Sequence, residues 1–166
     1  MGAGKSAVGR RLAILLGCPF KDADAEIEAA AGCSVADFFA RFGEAAFREG
    51  ERKVMIRLLE GPPLVLAAGG GAFMDPETRA AIKSRAISIW LKADLDLLYG
   101  RTKGRGHRPL LNTGDPKATL ARLMAERYPV YAEADITVDS NSESADATAK
   151  RVKAALDEHR MRTVPA

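Results

Sequence analysis

The sequence predicts an α/β protein with a parallel β-sheet. Two observations lead to this class: helical and strand-like apolar patterns alternate along the chain, and short apolar runs end in glycine-rich turns. The chain has 166 residues, a length that fits one domain with a sizeable buried core. We therefore expect residues 1–166 to form a single α/β domain.

The elements of the first half can be assigned in order. Residues 4–16 carry apolar side chains at helical spacing, and this helix is expected to stop at Gly17. The end of a strand is expected in PFKDAD. An acidic helix near 24–31, a second helix capped by Ser34 and a long helix near 44–60 follow.

The second half continues the alternation. LVLAA at 64–68 predicts a buried strand that leads into three glycines, and Asp75-Pro76-Glu77 is typical of a helix start. AISIWL at 86–91 is the clearest buried strand of the sequence. The remaining predicted elements are a helix near 94–101, a helix near 116–131, the short strand DITV and an amphipathic carboxyl-terminal helix.

The composition argues against several classes of protein. Hydrophobic residues make up 47% and charged residues 28% of the chain, which is ordinary for a globular protein. A formal charge of +3 is too small to indicate nucleic-acid binding, and no apolar run reaches the roughly 20 residues that span a bilayer. Cys18 and Cys33 lack metal-ligand spacing and form no disulfide framework, so we expect a cytoplasmic protein without membrane or nucleic-acid partners.

The first candidate site is the segment GAGKS at residues 2–6. It matches the end of the phosphate-binding loop G-x-x-x-x-G-K-[ST], although the first glycine of that pattern would stand two residues before Met1. Backbone N–H groups of such a turn bind phosphate at a helix start, where Lys5 would reach the phosphates and Ser6 would bind Mg²⁺. The alternative is a glycine-rich amino terminus that only imitates the motif.

Two further candidates follow strand-like segments. Asp22 and Asp24 are two residues apart, so one carboxylate could accept a proton while the other holds metal-bound water. The alternative for this pair is helix capping by Asp24. The three glycines at 69–71 indicate either close approach of a ligand to the backbone or a tight strand-to-helix turn.

The fourth candidate is a set of basic residues. Arg48 and Arg127 stand next to Phe47 and Tyr128, which favours partly shielded guanidinium groups suited to a carboxylate or phosphate. A glycine-interrupted basic segment, RTKGRGHRP, could close over phosphates as a flexible arm or could be a solvated loop; its basic residues are Arg101, Lys103, Arg105, His107 and Arg108.

Taken together, these segments resemble the shikimate kinase family from Met1 to about Asn141. The strongest match is REGERKVM followed by LVLAAGGGAF, and the order GKS, DxD, FR, GGG, RPLL, RYPVY supports it. The resemblance implies a three-layer αβα P-loop kinase, similar to nucleoside-monophosphate kinases. It also implies substrate-binding helices at about 24–60, a mobile lid at about 102–115, and a monomer.

The resemblance implies that the chain phosphorylates shikimate with ATP and Mg²⁺. Lys5, Asp24 and Arg108 would be catalytic, with Asp24 as the base and Arg108 on the lid. Ser6 would bind Mg²⁺ directly and Asp22 through water, while Arg101 would lie along the adenine. The implied ATP-binding residues are Gly2, Ala3, Gly4, Lys5, Ser6, Ala7, Arg101 and Arg108.

The same resemblance implies a site for shikimate. Arg48 and Arg127 would clamp its carboxylate, and Asp24 would bind the hydroxyl that is phosphorylated. The glycines Gly69, Gly70 and Gly71 would contact the ring hydroxyls, and the pocket would be lined or braced by Phe39, Phe47 and Glu51.

The sequence departs from the family pattern in two places. The family has an apolar strand before the phosphate loop, and this first strand is absent here, so we expect the chain to start at an internal methionine or to be otherwise truncated. Ser142 and Glu143 stand where the family often has basic residues near adenine. Two alternative functions follow: a related kinase for a small acid such as gluconate, and a nucleotide-binding domain without turnover.

Overall fold

A computed structural model describes residues 2–102 and 115–163. Helices and short strands alternate throughout, as the sequence predicts. The elements are α1 Lys5–Leu16, β1 Phe20–Asp22, α2 Ala23–Ala31, α3 Val35–Leu59, β2 Val65–Ala67, a 3-10 helix Ala72–Met74, α4 Pro76–Arg85, β3 Ile89–Lys92, α5 Leu95–Thr102, α6 Pro116–Tyr131, β4 Ile136–Asp139 and α7 Ala145–Thr163.

The strands form two parallel pairs. In the first pair Asp22 of β1 lies opposite Ala67 of β2, and in the second Ile89 of β3 lies opposite Ile136 of β4. Within the described ranges no ladder of hydrogen bonds joins β2 to β3. The α/β class with parallel strands is confirmed, and the strands fall into two pairs.

The strand expected at 86–91 differs from the prediction in position and burial. It begins only at Ile89, and its apolar side chains are half-buried. The prediction of a buried strand over 86–91 was wrong, because the apolar run alone does not fix how far neighbouring elements cover the strand. In the described chain β3 pairs with β4 alone.

Helix α1 joins the two strand pairs through the largest core cluster. Val8 and Leu12 of α1 are buried with residues of β4 and α7, and Val65 of β2 packs against the same cluster. Gly9 lets the helix approach β1 closely, because a Cβ there would lie 2.7 Å from the ring of Phe20. The amino end of α1 is thereby fixed beside the carboxyl ends of β1 and β2.

The predicted helices of the substrate region are present as α2 and α3. Ser34 caps α3 by accepting a hydrogen bond from the Asp37 N–H at 3.1 Å, as its position predicted. The boundary expected before residue 44 appears as a break inside α3 at Gly43, which has φ 79°. A left-handed backbone of this kind favours glycine.

One predicted region lies almost entirely outside the described residues. Of the expected lid at about 102–115, only Thr102 and Asp115 are described, so Arg108 and its basic neighbours lie outside the described ranges. None of the described helices combines the length and apolar character that crossing a membrane requires.

Candidate active site

The glycine-rich segment 2–4 forms a turn that opens directly into α1. Gly2 and Gly4 have φ of 75° and 89°, a backbone region that favours glycine, and Gly4 is the N-cap of the helix. Four N–H groups at a helix start have no partner within the helix and attract anions. The geometry therefore suits a phosphate loop at residues 2–6.

The far side of this turn is held by the segment after β4. Ser140 is buried and donates a hydrogen bond to the Ala3 carbonyl at 2.9 Å. Arg101 donates to the Gly2 carbonyl at 3.2 Å, to the Ser140 hydroxyl at 3.1 Å and to the Asn141 carbonyl at 2.5 Å. The predicted adenine residue Arg101 thus lies beside the loop, while Ala7 is exposed on the first turn of α1.

Ser6 and Asp22 are joined directly. The Ser6 hydroxyl donates to Asp22 Oδ2 at 2.6 Å, which brings the start of α1 to the end of β1. Asp22 Oδ1 also accepts from the Asp24 N–H at 3.1 Å, so Asp22 caps α2. The alternative that Asp24 caps the helix is therefore wrong. The Asp24 carboxylate does not serve as the N-cap of α2.

Asp24 lies among charges of both signs. Partial burial and the neighbouring Asp22 raise the pKa of its carboxyl above the ordinary value for Asp, whereas the positive charges of Lys5 and Arg48 act to lower it. Lys5 belongs to the phosphate loop and Arg48 to α3. Asp24 therefore interacts electrostatically with both the loop and α3.

The three glycines follow β2 at its carboxyl end, and each leaves room for a different predicted site residue. A Cβ on Gly69 would lie 3.4 Å from Asp24 Oδ1, and one on Gly70 would lie 2.9 Å from an Arg127 nitrogen. A Cβ on Gly71 would lie only 2.2 Å from Arg48 Nη1. A side chain at these positions would collide with the charged groups that contact the backbone, so glycine is favoured here.

The segment is also a turn, so both interpretations of the glycines hold in part. The Ala72 N–H donates to the Gly69 carbonyl at 3.1 Å, and a 3-10 helix begins at Ala72. The turn directs the chain towards α4 and leaves the glycine backbone beside the cationic side chains.

Arg48 is half-buried, with 29% of its side chain exposed. Its Nη1 contacts Glu51 Oε2 at 2.7 Å, and its guanidinium carbon lies 5.3 Å from the centre of the Phe47 ring. Burial of Glu51 raises the pKa of its carboxyl, although the hydrogen bond from Arg48 acts against this. The Phe39 and Phe47 rings lie 4.5 Å apart behind the arginine.

Arg127 reaches the same place from α6. It is half-buried, and its guanidinium reaches Gly70 beside the hydroxyl of Tyr131, one helical turn further along. The Tyr131 hydroxyl donates to the Gly70 carbonyl at 2.5 Å. The geometry thus brings Asp24, Arg48 and Arg127 together around the three glycines.

Two residues of this region were missed by the sequence analysis. Tyr131 was quoted only as part of RYPVY, although its spacing of four from Arg127 places both on one helix face. Arg52 binds Asp75 through two hydrogen bonds, at 3.0 and 2.9 Å, and ties α3 to the start of α4. The sequence signal for Arg52 was its spacing of four residues from Arg48, which places both side chains on one face of α3.

The site combines three features at the carboxyl ends of parallel strands: a phosphate loop at a helix start, a pair of aspartates and a group of cationic side chains. This combination defines a phosphotransferase of the P-loop class. The sequence profile of the shikimate kinase family matches residues 1–157. The chain belongs to the shikimate kinase family, and its reaction is the phosphorylation of shikimate by ATP.

Individual relatives agree with this assignment. The shikimate kinase of Paramagnetospirillum magneticum is 65% identical over 156 residues, covering 94% of this chain and 80% of the relative. That of Bradyrhizobium diazoefficiens is 57% identical over 140 residues, covering 84% and 68%. These matches do not favour the alternative of a gluconate-type kinase or of a domain without turnover.

Solved structures share the fold. Shikimate kinase from Acinetobacter baumannii in complex with shikimate has a TM-score of 0.92 and 37% identity, covering 99% of this chain and 91% of that chain. The enzyme from Aquifex aeolicus has a TM-score of 0.85 and 30% identity, covering 97% and 94%. The expected P-loop kinase fold is confirmed.

The substitution Gly71→Ala tests the close approach of Arg48. Gly71 has φ −78° and ψ −26°, which alanine also adopts, so the added methyl group acts only by displacing the guanidinium. We expect the KM for shikimate to rise at least about tenfold, since hydrogen bonds to charged groups contribute about 1.5–3 kcal/mol. Steady-state kinetics measures this.

The matched control is Gly50→Ala on the same helix as Arg48. A Cβ on Gly50 meets nothing within 4 Å, so this variant should keep the wild-type KM for shikimate. Equal KM values for Gly71→Ala and Gly50→Ala would contradict the role given to the Gly71–Arg48 contact.

Proposed function

We propose that this site transfers the γ-phosphoryl group of ATP to shikimate with a division of labour between two groups of residues. Residues 2–7 and Arg101 bind ATP, and the three glycines with Arg48 and Arg127 bind shikimate. The observation that carries the proposal is the position of Asp24. Its carboxylate lies beside Gly69 and interacts electrostatically with both Lys5 and Arg48, which supports a place for it where the two substrates would meet.

On the ATP side, the backbone of Gly2, Ala3, Gly4, Lys5, Ser6 and Ala7 surrounds the phosphates. Arg101, held by two carbonyls and the Ser140 hydroxyl, offers its planar guanidinium to the adenine. Lys5 neutralises charge that develops on the transferred group. Arg108, which lies outside the described residues, is proposed to add a second cation from the lid.

On the shikimate side, Arg48 and Arg127 bind the carboxylate. Both guanidinium groups approach the glycine segment from different helices, α3 and α6, and a planar fork of N–H donors suits two carboxylate oxygens. The backbone of the three glycines lies beside these side chains and would offer its N–H and C=O groups to the ring hydroxyls. Glu51 braces Arg48, and the Phe47 ring shields it.

The proposed chemistry is an in-line displacement. Asp24 accepts the proton of the 3-hydroxyl of shikimate as that oxygen attacks the γ-phosphorus, and the bond to the bridging oxygen of ADP breaks. The products are shikimate 3-phosphate and ADP. A raised pKa suits the base, because it favours proton transfer near neutral pH.

We propose Mg²⁺ as the metal of this reaction. Ser6 and Asp22 supply adjacent hydroxyl and carboxylate oxygens, which are the hard ligands that Mg²⁺ prefers. In the described ranges no group of three or more His, Cys, Asp or Glu residues could hold a metal. A Mg²⁺ held by Ser6 directly and by Asp22 through water would neutralise phosphate charge.

We also propose a cytoplasmic monomer organised as one domain, with substrate helices at about 24–60 and a lid at about 102–115. Both cysteines, Cys18 and Cys33, are half-buried free thiols, which suits a reducing compartment. ATP and shikimate would be its partners.

Substitutions should separate the two groups of residues. Lys5→Ala and Asp24→Ala should lower kcat by about 10²–10⁴-fold, the range for lost charge stabilisation and proton transfer. Arg127→Ala should chiefly raise the KM for shikimate, by about ten- to a hundredfold. A coupled assay of ADP release measures both parameters.

Arg122→Ala is the control for Arg127→Ala, because Arg122 lies on the same helix in an exposed ion pair with Glu126. It should behave as wild type. An unchanged KM for shikimate in Arg127→Ala would refute the carboxylate clamp.

The pH dependence of the rate offers a separate test of Asp24 as the base. A protonated Asp24 cannot accept the hydroxyl proton, so the rate falls as pH drops through its pKa. The negative charge of Asp22 raises that pKa, so Asp22→Asn should move the acidic limb of the profile to lower pH. The activity of each variant, measured across a series of pH values, gives the position of the acidic limb.

Glu28→Gln is the matched control, since Glu28 raises the pKa of Asp24 less than Asp22 does. The acidic limb of the Glu28→Gln profile should move in the same direction but by less than that of Asp22→Asn. An acidic limb that stays in place in Asp22→Asn would rule out Asp24 as the titrating base.

A further inference from the structure

We infer that Tyr131 is a positioning residue for shikimate, because its hydroxyl holds the Gly70 carbonyl beside the Arg127 guanidinium. This inference rests on the proposed function of Arg127 and of the glycine segment. Tyr131 itself is not required to touch either substrate. It acts by fixing one of the two arginines and one of the three glycines relative to each other.

The hydroxyl of Tyr131 has two polar neighbours at the site. It donates to the Gly70 carbonyl at 2.5 Å, across 61 positions of sequence, and the Arg127 guanidinium lies at the same glycine. A Cβ on Gly70 would meet the Tyr131 oxygen at 2.7 Å and an Arg127 nitrogen at 2.9 Å. The two side chains therefore meet at one glycine.

Aromatic neighbours hold the Tyr131 ring in place. The centre of the Phe73 ring lies 6.4 Å away and that of Trp90 6.0 Å away, both in edge-to-face arrangements. Phe73 belongs to the 3-10 helix that follows the glycines, and Trp90 to β3. With its ring held from two sides, the hydroxyl has a fixed position from which to align its partners.

The ring alone cannot fill this role, because the O–H is the group that donates to the Gly70 carbonyl. The glycine backbone is thus fixed next to Arg127 by a neighbour of Arg127 on the same helix. Loss of the hydroxyl leaves the half-buried Gly70 carbonyl with one partner fewer, and the carbonyl and the adjacent guanidinium both gain freedom to move. The first consequence is weaker binding of the carboxylate.

The test is Tyr131→Phe, which keeps the ring and removes the oxygen. We expect the KM for shikimate to rise about fivefold or more, in line with about 1 kcal/mol for a hydrogen bond. The kcat value and the KM for ATP should stay within about twofold of wild type. Because KM does not depend on the fraction of folded enzyme, partial loss of stability cannot produce this pattern.

Tyr128→Phe is the matched control. Tyr128 lies on the same helix, packs edge-to-face on Trp90 and donates its hydroxyl proton to a backbone carbonyl, that of Ala93. Its removal should leave the KM for shikimate unchanged. An equal rise in both variants would assign the effect to general packing of α6 and would overturn the inference.

A double-mutant cycle with Arg127→Ala completes the test. Since Tyr131 acts partly through Arg127, the effect of Tyr131→Phe should shrink in the Arg127→Ala background. Full additivity would overturn the inference. If Arg127→Ala alone leaves shikimate affinity unchanged, the proposed carboxylate clamp fails; if Arg127→Ala weakens binding and Tyr131→Phe does not, only the role of Tyr131 fails.

Discussion

The site depends on the close approach of charged side chains to a backbone without side chains. Arg48 comes so near to Gly71 that a Cβ would overlap its guanidinium, and Asp24, Glu51, Arg127 and Tyr131 crowd the two preceding glycines. The glycines thus have a steric purpose. They let side chains from α2, α3 and α6 meet at the carboxyl end of β2, where ligands bind in open α/β sheets.

The charges of these side chains determine which groups the site can bind. Arg48 forms an ion pair with buried Glu51, and the charges of Lys5 and Arg48 both act on Asp24, so opposite charges lie close together at the site. In the proposed reaction these cations bind a carboxylate and phosphates, and the Asp24 carboxylate accepts the proton. The hydrogen bond from Ser6 to Asp22 links this pocket to the phosphate loop at the start of α1.

Much of this was predictable from local sequence signals. Helix boundaries followed capping residues such as Ser34 and Asp75, whose side chains accept from N–H groups three positions later. The candidate residues Asp24, Arg48 and Arg127 came from motifs, and they do meet around the glycines. What could not be predicted is set by tertiary contacts: β3 is half-buried and, within the described ranges, pairs with β4 alone, Asp22 rather than Asp24 caps α2, and the Tyr131 hydroxyl finds its partner 61 residues away.

The most direct measurement of the central claim compares shikimate with its methyl ester as a ligand of the unaltered enzyme. Esterification removes the negative charge that the two arginines are proposed to bind and leaves the ring and its hydroxyls intact. The predicted result is an affinity for the ester at least about tenfold below that for shikimate, because the ester loses the contribution of charge-assisted hydrogen bonds to binding. Equal affinity for acid and ester would contradict the account.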